Sequence, residues 1–147
     1  MSALVIGAGN DLRRDDAAGL DAARLARAAG VDAREARGDL SGLADAWSGT
    51  DRVILVDAVR SGAPPGTIHR FDATASPLPA VFARGSTHAF GVPEAVELAR
   101  ALGRMPRSLV VYGIEGSDFA HGNGMSPEVE RAVEKAAARI VEEALHA

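Results

Sequence analysis

Short unbroken runs of apolar residues recur along the chain and predict its buried strands. One run covers residues 3–6 and stops at Gly7-Ala8-Gly9, and a longer, β-branched run extends from Arg52 to Val59. Residues 108–112 form a third run, which ends at a second glycine-containing segment. Runs without polar alternation are typical of parallel strands that are buried on both faces. We therefore predict three buried strands in these places.

Two further segments alternate between apolar and polar residues. Residues 31–36 alternate but are rather polar, which predicts a strand near an edge of the sheet. Residues 67–71 alternate as a half-exposed edge strand should. The segment 61–66 predicts a turn or loop, and residues 72–86 show no clear period. A loop as long as 72–86 in a compact domain is often functional.

The remaining apolar positions have helical spacing. An alanine-rich helix is predicted from about Asp16 to Ala29, where Gly30 suits the end of a helix. A short helix is expected over residues 40–47, and another has Pro93 near its first turn and Gly103 just past its end. The last helix is predicted to start at 126–127, a serine followed by proline, and its apolar stripe is Val129, Val133, Ala136, Ile140 and Ala144.

The order of these elements, β-α-β-α-β-β-α-β-α, indicates an α/β fold. We predict a three-layer α/β/α sandwich around a mostly parallel five-stranded sheet with one antiparallel edge strand. A chain of 147 residues fits one domain, here residues 1–147. In open sheets of this kind ligands bind beyond the carboxyl ends of the strands. Gly7, Asp57 and Gly113 are predicted to lie at such ends.

Composition narrows the chemistry. The chain has no cysteine, so any metal must be held by carboxylate, imidazole or carbonyl groups. The net charge is −4 with no basic stripe, which argues against a nucleic-acid partner. The sequence begins without a basic n-region or a long apolar stretch, so we expect a cytoplasmic protein without a membrane partner.

Three side chains are the leading candidates for a metal site. Asp15 and Asp16 begin a predicted helix, where one of the two acids is expected simply to favour the helix dipole. Asp57 lies near the end of an apolar strand, where a carboxylate is costly unless it is paired or bound to a metal. His88 precedes a helix, whose dipole keeps an imidazole neutral and able to coordinate. Two carboxylates and one imidazole suit a borderline divalent metal with open positions.

Other arrangements are weaker. The Gly7-Ala8-Gly9 turn lacks the third glycine of a dinucleotide-binding loop, and the acids that follow it would repel phosphate. No serine occupies a nucleophile elbow, and the hydroxyls beside His88 do not make a triad by adjacency. Among the other histidines, His69, His121 and His146, the strongest candidate is His121 in its glycine-rich loop.

Five segments together resemble the hydrogenase maturation endopeptidases. The segment from Gly7 to Asp16, followed by Gly19, is similar to the family's opening motif, and the segments 55–58 and 86–88 are similar to its second and third. The segments 112–116 and 124–129 are similar to its closing motifs, in the right order. One departure is Ala17, where we expected a family glycine. An alanine there would be strained if the position required positive φ.

The resemblance implies a reaction. Members of this family remove a C-terminal extension from the large subunit of nickel–iron hydrogenase after its metal centre has been loaded. The resemblance places the family's catalytic metal ligands on Asp16, Asp57 and His88, with nickel supplied by the precursor. The metal could polarise the scissile carbonyl or lower the pKa of a bound water, and either carboxylate could act as general base. We expect a monomer whose partner is this precursor.

Two other functions remain open at this point. A metal-checking chaperone of hydrogenase assembly would keep the same ligands and dock on the large subunit without cutting it. A nucleotide-binding α/β protein would rest on the glycine turn alone.

Overall fold

The computed structural model describes residues 3–82 and 90–146. Its five strands are β1 (Leu4–Ala8), β2 (Ala33–Ala36), β3 (Arg52–Val59), β4 (Ile68–Asp72) and β5 (Ser108–Glu115). Its four α-helices are α1 (Ala18–Ala28), the short α2 (Leu43–Ala46), α3 (Val92–Ala101) and α4 (Pro127–His146). Short 3-10 turns cover Arg14–Ala17 and Ala80–Phe82.

The strands form one sheet in the order β2-β1-β3-β5-β4. β1, β2, β3 and β5 run parallel, and β4 pairs antiparallel with β5 at one edge. The predicted fold is therefore confirmed, including the antiparallel edge strand.

β5 extends further than the sequence suggested. We ended this strand at Tyr112 because a glycine follows, but the pairing with β3 continues through Glu115. Position 113 has no room for a side chain, because an added Cβ would lie 2.9 Å from Cε1 of Phe82 and 3.0 Å from Cγ1 of Val59. The glycine thus makes room for neighbours and does not end the strand.

Alternate residues of the strands point into two apolar cores. Ile54 and Val56 of β3 pack with α1 and α4 on one face, whereas Val53 and Leu55 pack with α2 and α3 on the other. Trp47, which is 2% exposed, is the largest side chain of the second core, and it donates a hydrogen bond to the carbonyl of Arg104. This arrangement confirms the predicted three layers.

The chain enters α1 through the 3-10 turn, two residues later than predicted. Ala17 has φ −80° there, so alanine carries no strain and the concern about a missing glycine was wrong. The residue with positive φ is instead Arg14, at 45°. Backbone strain in this segment therefore lies two residues before Asp16.

The last turn of α4 is attached to the amino ends of the central strands. The N–H of Ala3 donates to the carbonyl of Ala144 at 3.0 Å, and Arg52 donates to the carbonyl of Glu143 at 2.9 Å. Within the described residues, no helix has the length and apolar character that crossing a membrane requires.

Candidate catalytic and metal site

The carboxyl ends of β1 and β3 meet the start of α1 at one edge of the sheet, and glycines make this close packing possible. A side chain at Gly19 would collide with the carbonyl oxygens of Ala8 and Val56 and would come within 3.1 Å of Cα of Asp57. A side chain at Gly9 would collide with the carbonyl oxygen of Asp16. The glycines after β1 are therefore explained by packing of the helix against the strands and need no phosphate.

Asp57 lies on β3 at this edge and is 7% exposed. Its Oδ1 accepts a hydrogen bond of 2.8 Å from the N–H of the next residue, Ala58. Burial and, second to it, the negative charge of Asp16 raise the pKa of Asp57 well above 3.8, and the Ala58 hydrogen bond opposes them. An ionised Asp57 is therefore unfavourable here unless a positive charge joins it.

Asp16 is 3% exposed and lies in the 3-10 turn that leads into α1. Its N–H donates to the carbonyl of Arg13 at 2.9 Å, and its carbonyl accepts from the N–H of Asn10 at 3.1 Å. Both backbone polar groups of Asp16 are thus held, and its charge acts on Asp57. Two of the three predicted ligands therefore lie near enough for the charge of Asp16 to raise the pKa of Asp57.

The third predicted ligand, His88, lies outside the described residues. Among the residues that the structure does describe, no group of three histidine, aspartate or glutamate side chains could hold a metal ion. The roles of Asp16, Asp57 and His88 as catalytic residues and ligands stay predictions.

Asp15, the neighbour of Asp16, has a different environment. It is fully buried, and its carboxylate accepts hydrogen bonds from the N–H groups of Ser117, Asp118 and Ser126 at 2.9, 2.9 and 2.7 Å. The hydroxyl of Ser126 adds another at 2.9 Å. Burial alone would raise the pKa of Asp15, but these hydrogen bonds outweigh it and lower the pKa. The sequence suggested that one of the two acids only favours the helix dipole, and it gave no sign of these partners.

A second buried carboxylate, Glu115, lies at the end of β5 and was missed in the sequence. It is 1% exposed and accepts hydrogen bonds from the N–H and the hydroxyl of Ser61 and from the N–H of Gly62. Nε2 of His69 lies 3.0 Å from its Oε1. Burial would raise the pKa of Glu115, but these partners lower it. The cost of an acid at the end of an apolar strand, which identified Asp57, could have identified Glu115 as well.

The remaining histidines lie apart from the acid pair. His69 is on β4, with its ring edge-to-face against Phe82 at a centroid distance of 6.4 Å. His121 is exposed, and its Nε2 lies 3.5 Å from a guanidinium nitrogen of Arg13. His146 is the last residue of α4.

The acid pair defines what this edge can do chemically. Two buried carboxylates, one of which resists ionisation, offer hard oxygen donors to a divalent cation or a shared site for a proton. The fold brings this pair to the edge where open α/β sheets bind ligands.

Comparison with known proteins identifies the family. The family model described as HycI, hydrogenase maturation protease, matches residues 39–143. The chain belongs to the hydrogenase maturation protease family. Its members include solved structures that share the fold over nearly the full chain. The [NiFe] hydrogenase maturation protease HybD from Thermococcus kodakarensis has a TM-score of 0.80 and 29% identity, covering 98% of this chain and 99% of that one.

Two curated relatives agree with this family. The hydrogenase expression/formation protein HupD from Thiocapsa roseopersicina is 30% identical, with a match that covers 88% of this chain and 62% of HupD. The hydrogenase expression/formation protein HoxM from Cupriavidus necator is 32% identical, with a match that covers 58% of this chain and 45% of HoxM. The matches thus span about half to three fifths of the curated relatives' length. The resemblance drawn from the sequence motifs is confirmed at the level of the family.

Proposed function

We propose that this chain is a metal-dependent endopeptidase that removes the C-terminal extension of a nickel-loaded nickel–iron hydrogenase large-subunit precursor. The observation that carries the proposal is the pair of buried acids, Asp16 and Asp57, at the carboxyl edge of the sheet. Membership of the hydrogenase maturation protease family supports the reaction and the substrate class.

The acid pair explains why nickel would arrive with the substrate. Asp57 has a raised pKa, so by itself the pair does not readily carry two negative charges. A nickel ion on the precursor would favour the ionised form of Asp57, with His88 as the third proposed ligand. Bound nickel would supply Lewis-acid chemistry at the scissile carbonyl or at a water molecule.

The acid pair would hold the metal ion, and hydrogen bonds keep both acids in place. Asp57 is fixed by its hydrogen bond from Ala58, and Asp16 by the backbone bonds of its turn. A carboxylate of the pair that is not neutralised could accept the proton of the attacking water. An unloaded precursor would lack the cation that stabilises this arrangement, so cleavage would follow nickel loading. We further propose that the protein acts as a cytoplasmic monomer.

The direct test is to incubate the purified chain with nickel-loaded and nickel-free precursor and to follow the length of the precursor by mass spectrometry. We expect shortening of the loaded form only, and none with Asp57→Ala. Glu143→Gln is a suitable control because Glu143 pairs with Arg70 and Tyr112 on another part of the surface. It should cleave as the unaltered protein does.

Two results would contradict the proposal. Normal cleavage by Asp57→Ala would remove the acid pair from the reaction. A stable complex of the unaltered protein with uncut, nickel-loaded precursor would favour the metal-checking chaperone.

A further inference from the structure

Asp15 and Asp16 are adjacent in one turn, yet their side chains serve different parts of the molecule. Asp15 directs its carboxylate to the loop formed by residues 117–126, whereas Asp16 acts on Asp57. In a 3-10 turn, successive side chains are rotated by about 120°. Fixing the Cα–Cβ bond of one residue therefore constrains the direction of the Cα–Cβ bond of the next.

The carboxylate of Asp15 joins two segments that are far apart in sequence. Its donors are the N–H groups of Ser117, Asp118 and Ser126 and the hydroxyls of Ser117 and Ser126, so all of them belong to the 117–126 loop. The methylene group of Asp15 also packs under Gly116, where an added side chain would lie 2.9 Å from Cβ of Asp15. A fully buried carboxylate with this many donors holds its position strongly.

Backbone hydrogen bonds continue the same attachment. The N–H of Asp15 donates to the carbonyl of Asp118 at 2.9 Å, and the N–H of Arg14 donates to the carbonyl of Gly122 at 3.2 Å. The N–H of Gly122 donates in turn to the carbonyl of Leu12 at 2.9 Å. The segment that carries Asp16 is therefore bound along its length to the 117–126 loop.

The turn needs this attachment because its backbone is strained. Arg14 has φ 45°, a region that residues with a side chain adopt at a cost in free energy. Such a conformation persists only when the surroundings impose it. The hydrogen bonds to the carboxylate of Asp15, the next residue, supply such a constraint.

We propose that Asp15 is a positioning residue for the reaction: its buried carboxylate holds the 3-10 turn against the 117–126 loop and so sets the direction in which Asp16 faces Asp57. The catalytic consequence rests on the proposed function. Without this attachment Asp16 and Asp57 would both still be present, but Asp16 would no longer face Asp57 in the required direction. A displacement of about 1 Å in a catalytic group can lower a rate by about 100-fold.

The test is Asp15→Asn, which preserves shape but replaces one accepting oxygen with a donor group. We expect kcat for the nickel-loaded precursor to fall by about 100-fold while KM changes by less than about twofold, because the docking surface is unaltered. Glu143→Gln is the matched control. It also removes a carboxylate that accepts several hydrogen bonds, and it should leave kcat unchanged. Wild-type kcat in Asp15→Asn, or an equal loss in the control, would overturn the proposal.

A milder variant serves if Asp15→Asn does not fold. Ser126→Ala removes a single hydroxyl donor and leaves the N–H of residue 126 bonded to Asp15. The loss of one such bond should lower kcat by about fivefold. An unchanged kcat in this variant would count against Asp15 as a positioning residue.

Hydrogen exchange separates this proposal from the proposed function, since it needs no substrate. In Asp15→Asn the amides of Ser117, Asp118 and Ser126 should exchange faster than in the unaltered protein. Unchanged protection of these amides would overturn the positioning role even if the protein is a protease. Faster exchange in a chain that cleaves no precursor would uphold the attachment and reject the proposed function.

Discussion

Asp15 and Asp57 are two buried acids at the same edge of the sheet, and their surroundings shift their pKa values in opposite directions. Asp15 accepts hydrogen bonds from four groups at 2.7 to 2.9 Å, and its pKa is lowered. For Asp57 burial dominates, Asp16 adds a like charge, a single backbone N–H acts against them, and the pKa is raised. The two acids therefore differ both in the number of hydrogen-bond donors and in how strongly burial acts on the pKa.

This difference assigns the two acids to different tasks. A carboxylate whose oxygens are already satisfied contributes to stability and has little capacity for another ligand. A carboxylate held next to a like charge costs stability and gains from a cation. Sites of the second kind are expected where a protein trades stability for function.

The largest effect should come from disrupting the close packing of α1 against β1 and β3 around Asp57. Gly19→Ala would set a methyl group against the carbonyl oxygens of Ala8 and Val56 and against Cα of Asp57. We expect a loss of about 3 kcal/mol in the free energy of unfolding, measured by urea denaturation. Gly42→Ala is the control, since Gly42 has φ −85° and no atom within 4 Å of an added Cβ. Equal losses in both variants would show that the close approach of α1 is unimportant.

The next largest effect concerns Asp15, whose carboxylate already accepts several hydrogen bonds. Asp15→Asn should lower the free energy of unfolding at pH 7 by about 2 kcal/mol, because hydrogen bonds to a buried charge are lost. The folded-state pKa of Asp15 is below 3.8, so its contribution is present above that value and is lost as the pH falls through the folded-state pKa. Thermal melts of both proteins should therefore converge in acid. A difference that persists unchanged at low pH would contradict the ionised role of Asp15.

The smallest effect has the opposite sign. Asp57→Asn should raise the free energy of unfolding at pH 7 by about 1 kcal/mol, since the amide is neutral and keeps an oxygen for the Ala58 N–H. The folded-state pKa of Asp57 is raised, so its stabilising contribution is complete below 3.8 and is lost as the pH rises through the folded-state pKa.

The gain in Asp57→Asn should accordingly grow with pH in thermal melts. Asp32→Asn, at an exposed position, is the control and should stay within about 0.5 kcal/mol of the unaltered protein. If Asp57→Asn were less stable than the unaltered protein at pH 7, Asp57 and Asp15 would not affect stability in opposite directions.

Local pattern was sufficient for most of the fold. The apolar run of β3 and the spacing of α4 predicted a central strand and a packed helix, and both are present. The predicted end of β5 was wrong because, from local sequence alone, a glycine in a strand indicates a break. Only Phe82 and Val59, from elsewhere in the chain, show what that glycine accommodates.

The candidate site was predictable only in part, for the same reason. Asp57 stands out because a charge at the end of an apolar run has an evident cost. The partners of Asp15 lie 102 to 111 residues further along the chain, so no local rule could distinguish it from Asp16. The motif resemblance did assign the ligand role to Asp16, whose charge raises the pKa of Asp57 in the structure. His88, outside the described residues, remains a prediction.

The attachment of α4 to the first strand has a practical consequence. Because Ala3 is bonded to Ala144, the two ends of the described chain meet at the amino edge of the parallel strands, whereas the acid pair lies at the carboxyl edge. A surface linker attached at the exposed His146, in the last turn of α4, would thus lie at the opposite edge of the sheet from the acid pair. Protein immobilised through this position should keep the carboxyl edge of the sheet facing the solution.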